Sequence, residues 1–528
     1  MICVKPDDRW RHPLLAGDTA IWPVKSSALV NSRRFPMQTN LIHGRGLPGV
    51  KLSSLAWALF ALCLALARQP VAAAAARPPN IVLILADDMG WGDLGCYGSK
   101  TIRTPHLDRL ASEGTRFTSF YVSQPVCSAS RLSLLTGCYA NRLGIHGALG
   151  PGSKVGLSAG ESTLADLLRL RGYATAIYGK WHLGEAPEFL PTAHGFGDYF
   201  GLPYSNDMWP NHPTAKPGVY PPLPLYQGTN VVERMPDQRF LTRRYTDHAV
   251  RFIEANAAKP FFLYVPHNMP HVPLHVSDAH AGRSPHGLYA DVIEELDASV
   301  GEILAALDRF HLKENTWVIF LSDNGPWHNY GNHAGSAGPF REGKGSVFEG
   351  GIRVPCIMRW PGEMPRRRVV DAPLMTIDVL PTIARRVGAP LPQSPIDGRD
   401  VWPVLVGQRG ATNPHEAYAF YYNQGELQAV RSGPWKLLLP HRANGLNGKP
   451  PGADGKPGPY DRIQVGTELY HLERDPRETT DVAAREPKVM ERMQRLVEGF
   501  REDLGDSLTK REGRGLRPPG RIVAASAP

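Results

Sequence analysis

Four short apolar runs in this chain end in the same way, on charged or amide residues. The first, NIVLILADDMGWGD from residue 80, is a continuous β-branched run that stops at Asp87 and Asp88. YATAIYGKWHLG delivers Lys180 and His182, PFFLYVPHNMPHVP delivers His267 and His271, and TWVIFLSDNG delivers Asp323 and Asn324. A run that is apolar at every position suits a strand covered on both faces, which is the habit of parallel sheets. Helical patterns lie between the runs. TPHLDRLASEG predicts a helix capped by Thr104 with Pro105 in its first position. STLADLLRLRG predicts one capped by Ser162 and stopped by Gly172. Residues 242–257 and 287–310 repeat apolar side chains with the helical period. Strands alternating with helices predict an α/β fold with a large, mostly parallel central sheet flanked by helices. In such sheets ligands bind beyond the carboxyl ends of the strands. The four polar clusters are therefore predicted to share one site.

The texture changes after about residue 410. AYAFYYN, LQAVRSGPWKLLLP and TELYHLERDP are strand-like runs without helices between them, and NGLNGKPPGADGKPGPYD reads as a loop. A helical pattern follows over 487–505. This predicts a smaller C-terminal antiparallel sheet with one packing helix. The expected division is a leader over 1–76, a catalytic domain over 77–410, a small α+β subdomain over 411–509 and a basic, flexible tail over 510–528.

The net charge of +9 sits at the ends of the chain. Residues 1–76 hold nine Lys/Arg against three Asp, and residues 510–528 hold five against one Glu, so the body between is close to neutral. That argues against a nucleic-acid groove. Residues 52–67, LSSLAWALFALCLALA, follow Arg45 and Lys51 and precede a run of alanines. This is the pattern of a signal peptide for secretion or export to a periplasm, around residues 45–76. Met37 is the expected start, and an uncleaved anchor is the alternative; after cleavage no stable membrane span is expected. Cys96, Cys127, Cys138 and Cys356 would remain in the exported chain, too few for a disulfide framework. Cys356, in IRVPCIMRW, reads as a buried small apolar side chain.

Asp87, Asp88, Asp323 and Asn324 offer three carboxylates and an amide oxygen. Hard oxygens suit Ca²⁺, or Mg²⁺, better than zinc. A lone aspartate at a strand end caps a turn, but two such clusters read as a cation site. Cys127 opens CSASRLSLLTG, read as a helix, so its thiol stands near a helix N-terminus, where an anion is favoured. Arg131 follows one turn later. Two readings stay open: an activated nucleophile, and a buried structural thiol beside a surface arginine. Lys180, His182, His271 and Lys344, the last in the glycine-flanked REGKGSVFEGG, complete the set. A hard cation, an arginine and two lysines describe a pocket for a small oxyanion such as sulfate or phosphate.

These residues carry a resemblance. Cys127-Ser-Ala-Ser-Arg131 followed by LSLLTG resembles the sulfatase core motif C-x-P-x-R, with Ala129 where the pattern has proline. GYATAIYGKWHLG, the aspartate pair, the strand end at His271, SDNG and GKGSVFEGGIRVP stand in the family's order, and GLPYSNDMWP places Ser205 beside them. The chain is similar to arylsulfatase A-like sulfatases of the alkaline-phosphatase-like superfamily over about residues 78–505. The resemblance implies a sulfuric ester hydrolase, and that a formylglycine-generating maturation enzyme oxidises Cys127 to formylglycine (3-oxoalanine), whose hydrate attacks sulfur. It implies Asp87, Asp88, Asp323 and Asn324 as Ca²⁺ ligands and Arg131 and His182 as partners of the diol. Lys180 and Lys344 would bind sulfate oxygens, Ser205 and His271 would bind substrate, and His271 would protonate the leaving alcohol. The substrate would be a sulfated small molecule or glycan. The alternatives are a phosphomonoester or phosphonate hydrolase of the same superfamily and, should Cys127 stay unmodified, a non-catalytic binder of sulfated glycans.

Overall fold

The run that opens the sequence becomes the strand Asn80–Ala86, buried along its whole length. In the computed structural model, which describes residues 77–522, this strand lies in the middle of an eleven-stranded sheet. Its side chains alternate between two cores. Ile81, Leu83 and Leu85 point to one face, and Val82, Ile84 and Ala86 to the other. The first face is covered by the helices Cys127–Thr136 and Val379–Val387. The second is covered by Pro105–Glu113, Leu241–Ala255 and Leu288–Arg309. Burial on both sides is why the run is apolar at every position.

Asn80–Ala86 pairs in parallel with Thr316–Ser322 on one side and Phe261–Pro266 on the other, and the latter pairs in parallel with Ala174–Tyr178. These are the four runs read from the sequence, now adjacent, with their carboxyl ends on one edge. Arg353–Arg359 runs antiparallel to Thr316–Ser322 and to Thr115–Tyr121. Thr115–Tyr121 therefore runs with the central strands, and the helix that follows it, Cys127–Thr136, begins at that same edge. The reversed strand is entered from that edge too, which brings in the segment carrying Lys344. Gly179 makes the turn after Ala174–Tyr178 possible: its φ is +140°, and a Cβ there would lie 1.9 Å from the Pro266 carbonyl oxygen.

The C-terminal strands Tyr418–Tyr422, Glu426–Ser432, Trp435–Leu438 and Glu468–His471 form the expected small antiparallel sheet. Pro487–Leu504 packs through Met493, Val497 and Leu504. A buried charge cluster ties this sheet to the Lys344 segment. Lys436 Nζ lies 3.0 Å from Glu349 Oε1 and 2.8 Å from Glu478 Oε1, and all three side chains are withdrawn from solvent. Tyr121 donates to the other Glu349 oxygen at 2.6 Å. Removing the shared cation leaves two carboxylates buried without it. Lys436→Ala is expected to cost about 3–5 kcal/mol, read as a lower denaturant midpoint in chemical unfolding.

Several local expectations change. Thr163, not Ser162, caps Leu164–Arg169, in a capping box with Asp166. Thr104 precedes its helix, but its hydroxyl does not cap; it accepts from the Gly95 N–H and donates to Asp108. The Gly/Pro-rich loop has a stem, the paired strands His441–Gly445 and Asp461–Val465. The basic end was expected to be solvated and mobile. Instead Gly520–Arg521 pairs with Val155–Gly156, and Arg517 forms an ion pair with Glu161. A count of charges cannot see a partner 356 residues away. The leader read at 45–76 lies outside the described residues, and so does the Met37 start. Among the described residues, no helix is long and apolar enough to cross a membrane.

Candidate active site

The four strand ends deliver their polar residues to one buried place. Asp87, Asp88, Asp323, Asn324, Arg131, Lys180, His182, Ser205, His271 and Lys344 are each less than a tenth exposed. Cys127 is the first residue of Cys127–Thr136, all ten residues of which are buried. Asp87, Asp88, Cys127 and His271 each bring one ligand-type atom within 4.8 Å of the others. The thiol thus meets the carboxylates rather than packing among apolar side chains as Cys356 does. Ala129 stands in the first turn of this helix, where the backbone N–H has no intrahelical partner and proline would also be tolerated.

The carboxylates are matched by cations. Arg131 donates to Asp323 Oδ2 through Nε at 3.0 Å and Nη2 at 2.8 Å, and Nη2 also lies 3.1 Å from Asp87. Lys180 bonds Asp87 and donates to Ser205 Oγ at 3.1 Å. Lys344 lies 2.8 Å from Asp88, with its ammonium 4.4 Å from the centre of the Trp327 ring. Burial opposes ionisation of Asp87, but Lys180 and Arg131 outweigh it and hold its pKa well below the usual carboxylate value. Asp323 goes the other way: burial and the charges of Asp87 and Asp88 push it up to about 7 against the pull of Arg131.

The oxygens fit a hard cation. Asp87 Oδ1 and Asn324 Oδ1 are buried acceptors with no hydrogen-bond partner. Asn324 turns its amide nitrogen, at 2.6 Å, toward Asp88 Oδ1. Three carboxylates and an orphaned amide oxygen are a donor set for Ca²⁺ or Mg²⁺. Asp88 and His182 both have φ of 65°, a left-handed backbone uncommon outside glycine and worth its strain where a side chain must be aimed.

The two histidines are set apart by their surroundings. Burial, Lys180 and Arg131 hold His182 well below the ordinary imidazole value. Its Nε2 donates to the Leu149 carbonyl at 2.9 Å, which leaves Nδ1 as a buried lone pair without a partner. His271 is held above its ordinary value: burial and Lys344 oppose the charged form, and Asp88, Asp207 and Asp87 together outweigh them. Its Nδ1 donates to the Val272 carbonyl, and Nε2 lies 3.6 Å from Asp88 Oδ2. One imidazole held toward its neutral form and one toward its charged form, on one cavity, is the pattern of a base and an acid.

That cavity, of about 200 Å³, is lined by Cys127, His182, Ser205, His271 and Lys344. Sequence reading missed several of its other walls: Asp207 and Met208, Trp327, and Tyr422, Asn444 and Tyr460 from the C-terminal region. Asp207 sits in the same GLPYSNDMWP segment as Ser205, so its neighbourhood was visible though its part in the wall was not. Asn444 and Tyr460 lie at the two ends of the Gly/Pro-rich stretch, and only the ribbon stem brings them inward. Gly345, with φ +81°, leaves room beneath them: a Cβ would lie 3.1 Å from Asn444 Nδ2 and 3.3 Å from the Tyr422 hydroxyl.

Residues 79–389 match the family described as Sulfatase, and residues 413–514 match the C-terminal region of aryl-sulfatase. The chain belongs to the sulfatase family. Among curated relatives, this sulfatase is 41% identical to arylsulfatase A of Homo sapiens over 383 residues, covering 69% of this chain and 75% of that protein. It is 40% identical to steryl-sulfatase of Mus musculus, covering 71% and 73%. Among solved structures, the PsFucS1 sulfatase from Pseudoalteromonas sp. superposes with a TM-score of 0.70 at 28% identity, covering 80% of this chain and 90% of that one. A phosphonate monoester hydrolase of Agrobacterium radiobacter, at 20% identity and a TM-score of 0.55, covers 80% and 95% and shares the fold. The protein is a sulfuric ester hydrolase.

Proposed function

We propose that this sulfatase hydrolyses aryl or carbohydrate O-sulfates by nucleophilic catalysis at Cys127, after a maturation enzyme has oxidised the residue to formylglycine. The observation that carries this is the meeting of Cys127 with Asp87, Asp88 and His271 within 4.8 Å, at the floor of a cavity lined by Lys344 and His182. The aldehyde takes up water to give a gem-diol. One hydroxyl oxygen attacks sulfur, passing its proton to a carboxylate of the floor, and the alcohol departs with a proton from His271. The bound sulfate ester then breaks at its C–O bond as the second hydroxyl gives its proton to His182. Sulfate and aldehyde result. Arg131 holds the diol, and Lys180, Lys344 and Ser205 orient the sulfate oxygens.

Asp87, Asp88, Asp323 and Asn324 would hold one Ca²⁺, with Mg²⁺ as the alternative. That ion would supply positive charge for sulfate oxygens and for ionisation of the diol. Its charge would also hold Asp323 as a carboxylate. The leader read at 45–76 supports a secreted or periplasmic setting.

Three measurements test this reading. Peptide mass spectrometry should find Cys127 about 18 Da lighter than cysteine, as an aldehyde outside the usual oxidation ladder. The protein should release sulfate from nitrophenyl sulfate faster than phosphate from nitrophenyl phosphate; the opposite preference would favour the phosphate-ester alternative. Chelation should lower both activity and thermal stability. Ca²⁺ or Mg²⁺ should restore them, whereas Zn²⁺ should not. Zinc at full occupancy, with activity tracking it, would overturn the metal assignment.

A further inference from the structure

We propose that Asp207 selects leaving groups that carry a hydroxyl beside the sulfate ester, by accepting a hydrogen bond from it. This rests on the sulfatase reading above and adds a substrate class to it.

Asp207 is 8% exposed and lines the same cavity as Cys127. Its Oδ1 is buried without a hydrogen-bond partner. Among the described residues its ion-pair contact is the His212 ring, 4.0 Å away at Oδ2. The floor carboxylates differ: Asp87 and Asp323 are held by Arg131, and Asp88 by Lys344. A carboxylate oxygen kept from water and given no donor is costly. The cost falls when a ligand brings the donor with it.

Electrostatics decide which part of the ligand that is. Arg131, Lys180 and Lys344 gather at the floor beside Cys127, and there the anionic sulfate group is favoured. A carboxylate repels sulfate, so Asp207 faces the other end of the ester, the leaving group. Of the groups found next to a sulfate ester on a sugar or a phenol, a hydroxyl is a neutral donor that adds little volume. A cavity of about 200 Å³ is below the range of about 300–1,000 Å³ typical of drug-sized ligands, so it takes the sulfate and little more than the ring that carries it. Trp327, Tyr422 and Tyr460 give that ring aromatic walls. The oxygen of Ser205 is already engaged by Lys180, whereas Asp207 Oδ1 has no donor. A leaving group with a second anion beside the ester would be rejected by the same carboxylate.

The test compares two esters of one ring, nitrophenyl sulfate and nitrocatechol sulfate, which differ by a hydroxyl next to the ester. The ratio of their kcat/KM values, nitrocatechol over nitrophenyl, is measured for the wild type, Asp207→Asn and Asp207→Ala. A hydrogen bond to a carboxylate supports a fall in this ratio of about 10- to 100-fold in Asp207→Ala. Asp207→Asn keeps an oxygen acceptor of nearly the same shape, so its ratio should lie between the other two. Equal losses on both esters in both variants would overturn the inference and leave sulfate ester hydrolysis standing. A wild type that turns over neither ester, but does cleave nitrophenyl phosphate, would overturn the sulfatase reading and this inference with it.

Discussion

Cys127→Ala is expected to abolish sulfate ester turnover, by about 10⁴–10⁶-fold in kcat, the scale on which enzymes lose activity with their covalent nucleophile. The fold should survive. Cys127 is the first residue of its helix, and no interior helical hydrogen bond depends on its side chain. Alanine is a little smaller and keeps the helix propensity. Cys127→Ser is the sharper variant. It keeps the size and puts an oxygen at the site, yet a serine hydroxyl has no carbonyl carbon to regenerate. Its sulfate ester, once formed, would have no diol collapse to expel it. Substrate should therefore leave a protein heavier by one sulfate group in Cys127→Ser, with little or no turnover. Undiminished hydrolysis by purified Cys127→Ala, with unfolding unchanged, would sink the mechanism.

How much of this site the sequence displays depends on how each residue is brought there. Asp87, Asp323, Lys180 and His271 follow strands that are buried on both faces, and such strands announce themselves by unbroken apolar runs. Once the runs are read as neighbours in one sheet, their polar ends must converge. Cys127 and Arg131 are visible for a related reason, since both lie on one short helix with a recognisable motif. Asn444, Tyr460 and Tyr422 arrive differently. A Gly/Pro-rich stretch has no periodicity, and the ribbon that folds it inward pairs His441 with Val465 across a long turn. Local pattern holds no trace of such a pairing. The same limit explains the basic tail, whose Arg517 is solvated by composition and paired by tertiary structure with Glu161. Asp207 was hidden by its chemistry: an aspartate in a loop usually caps a turn, and only burial with an orphaned oxygen marks this one as different.

Replacing His271 should hurt in proportion to how badly the leaving group needs a proton. A phenolate leaves readily, whereas a sugar alkoxide is far more basic and must be protonated as the bond to sulfur breaks. His271→Ala is thus expected to cost about 10²–10⁴-fold on sugar sulfates, the usual yield of general acid catalysis, and clearly less on nitrophenyl sulfate. The pH dependence should carry the same signature. Burial and Lys344 disfavour the imidazolium, but Asp88, Asp207 and Asp87 together raise the pKa above its ordinary value. An acid works while protonated, so activity on sugar sulfates should fall as pH rises through the pKa of His271. His271→Ala should lose that alkaline limb. His267 is the control. It lies four residues earlier on the same segment, with Nε2 3.5 Å from the Ser299 hydroxyl. Burial lowers its pKa to about 4, so near neutral pH it has no proton to give from a charged ring. His267→Ala should therefore lower stability by leaving a void in the core, and should affect both classes of ester alike. If leaving-group dependence and the alkaline limb changed in His267→Ala and stayed intact in His271→Ala, the acid would be His267.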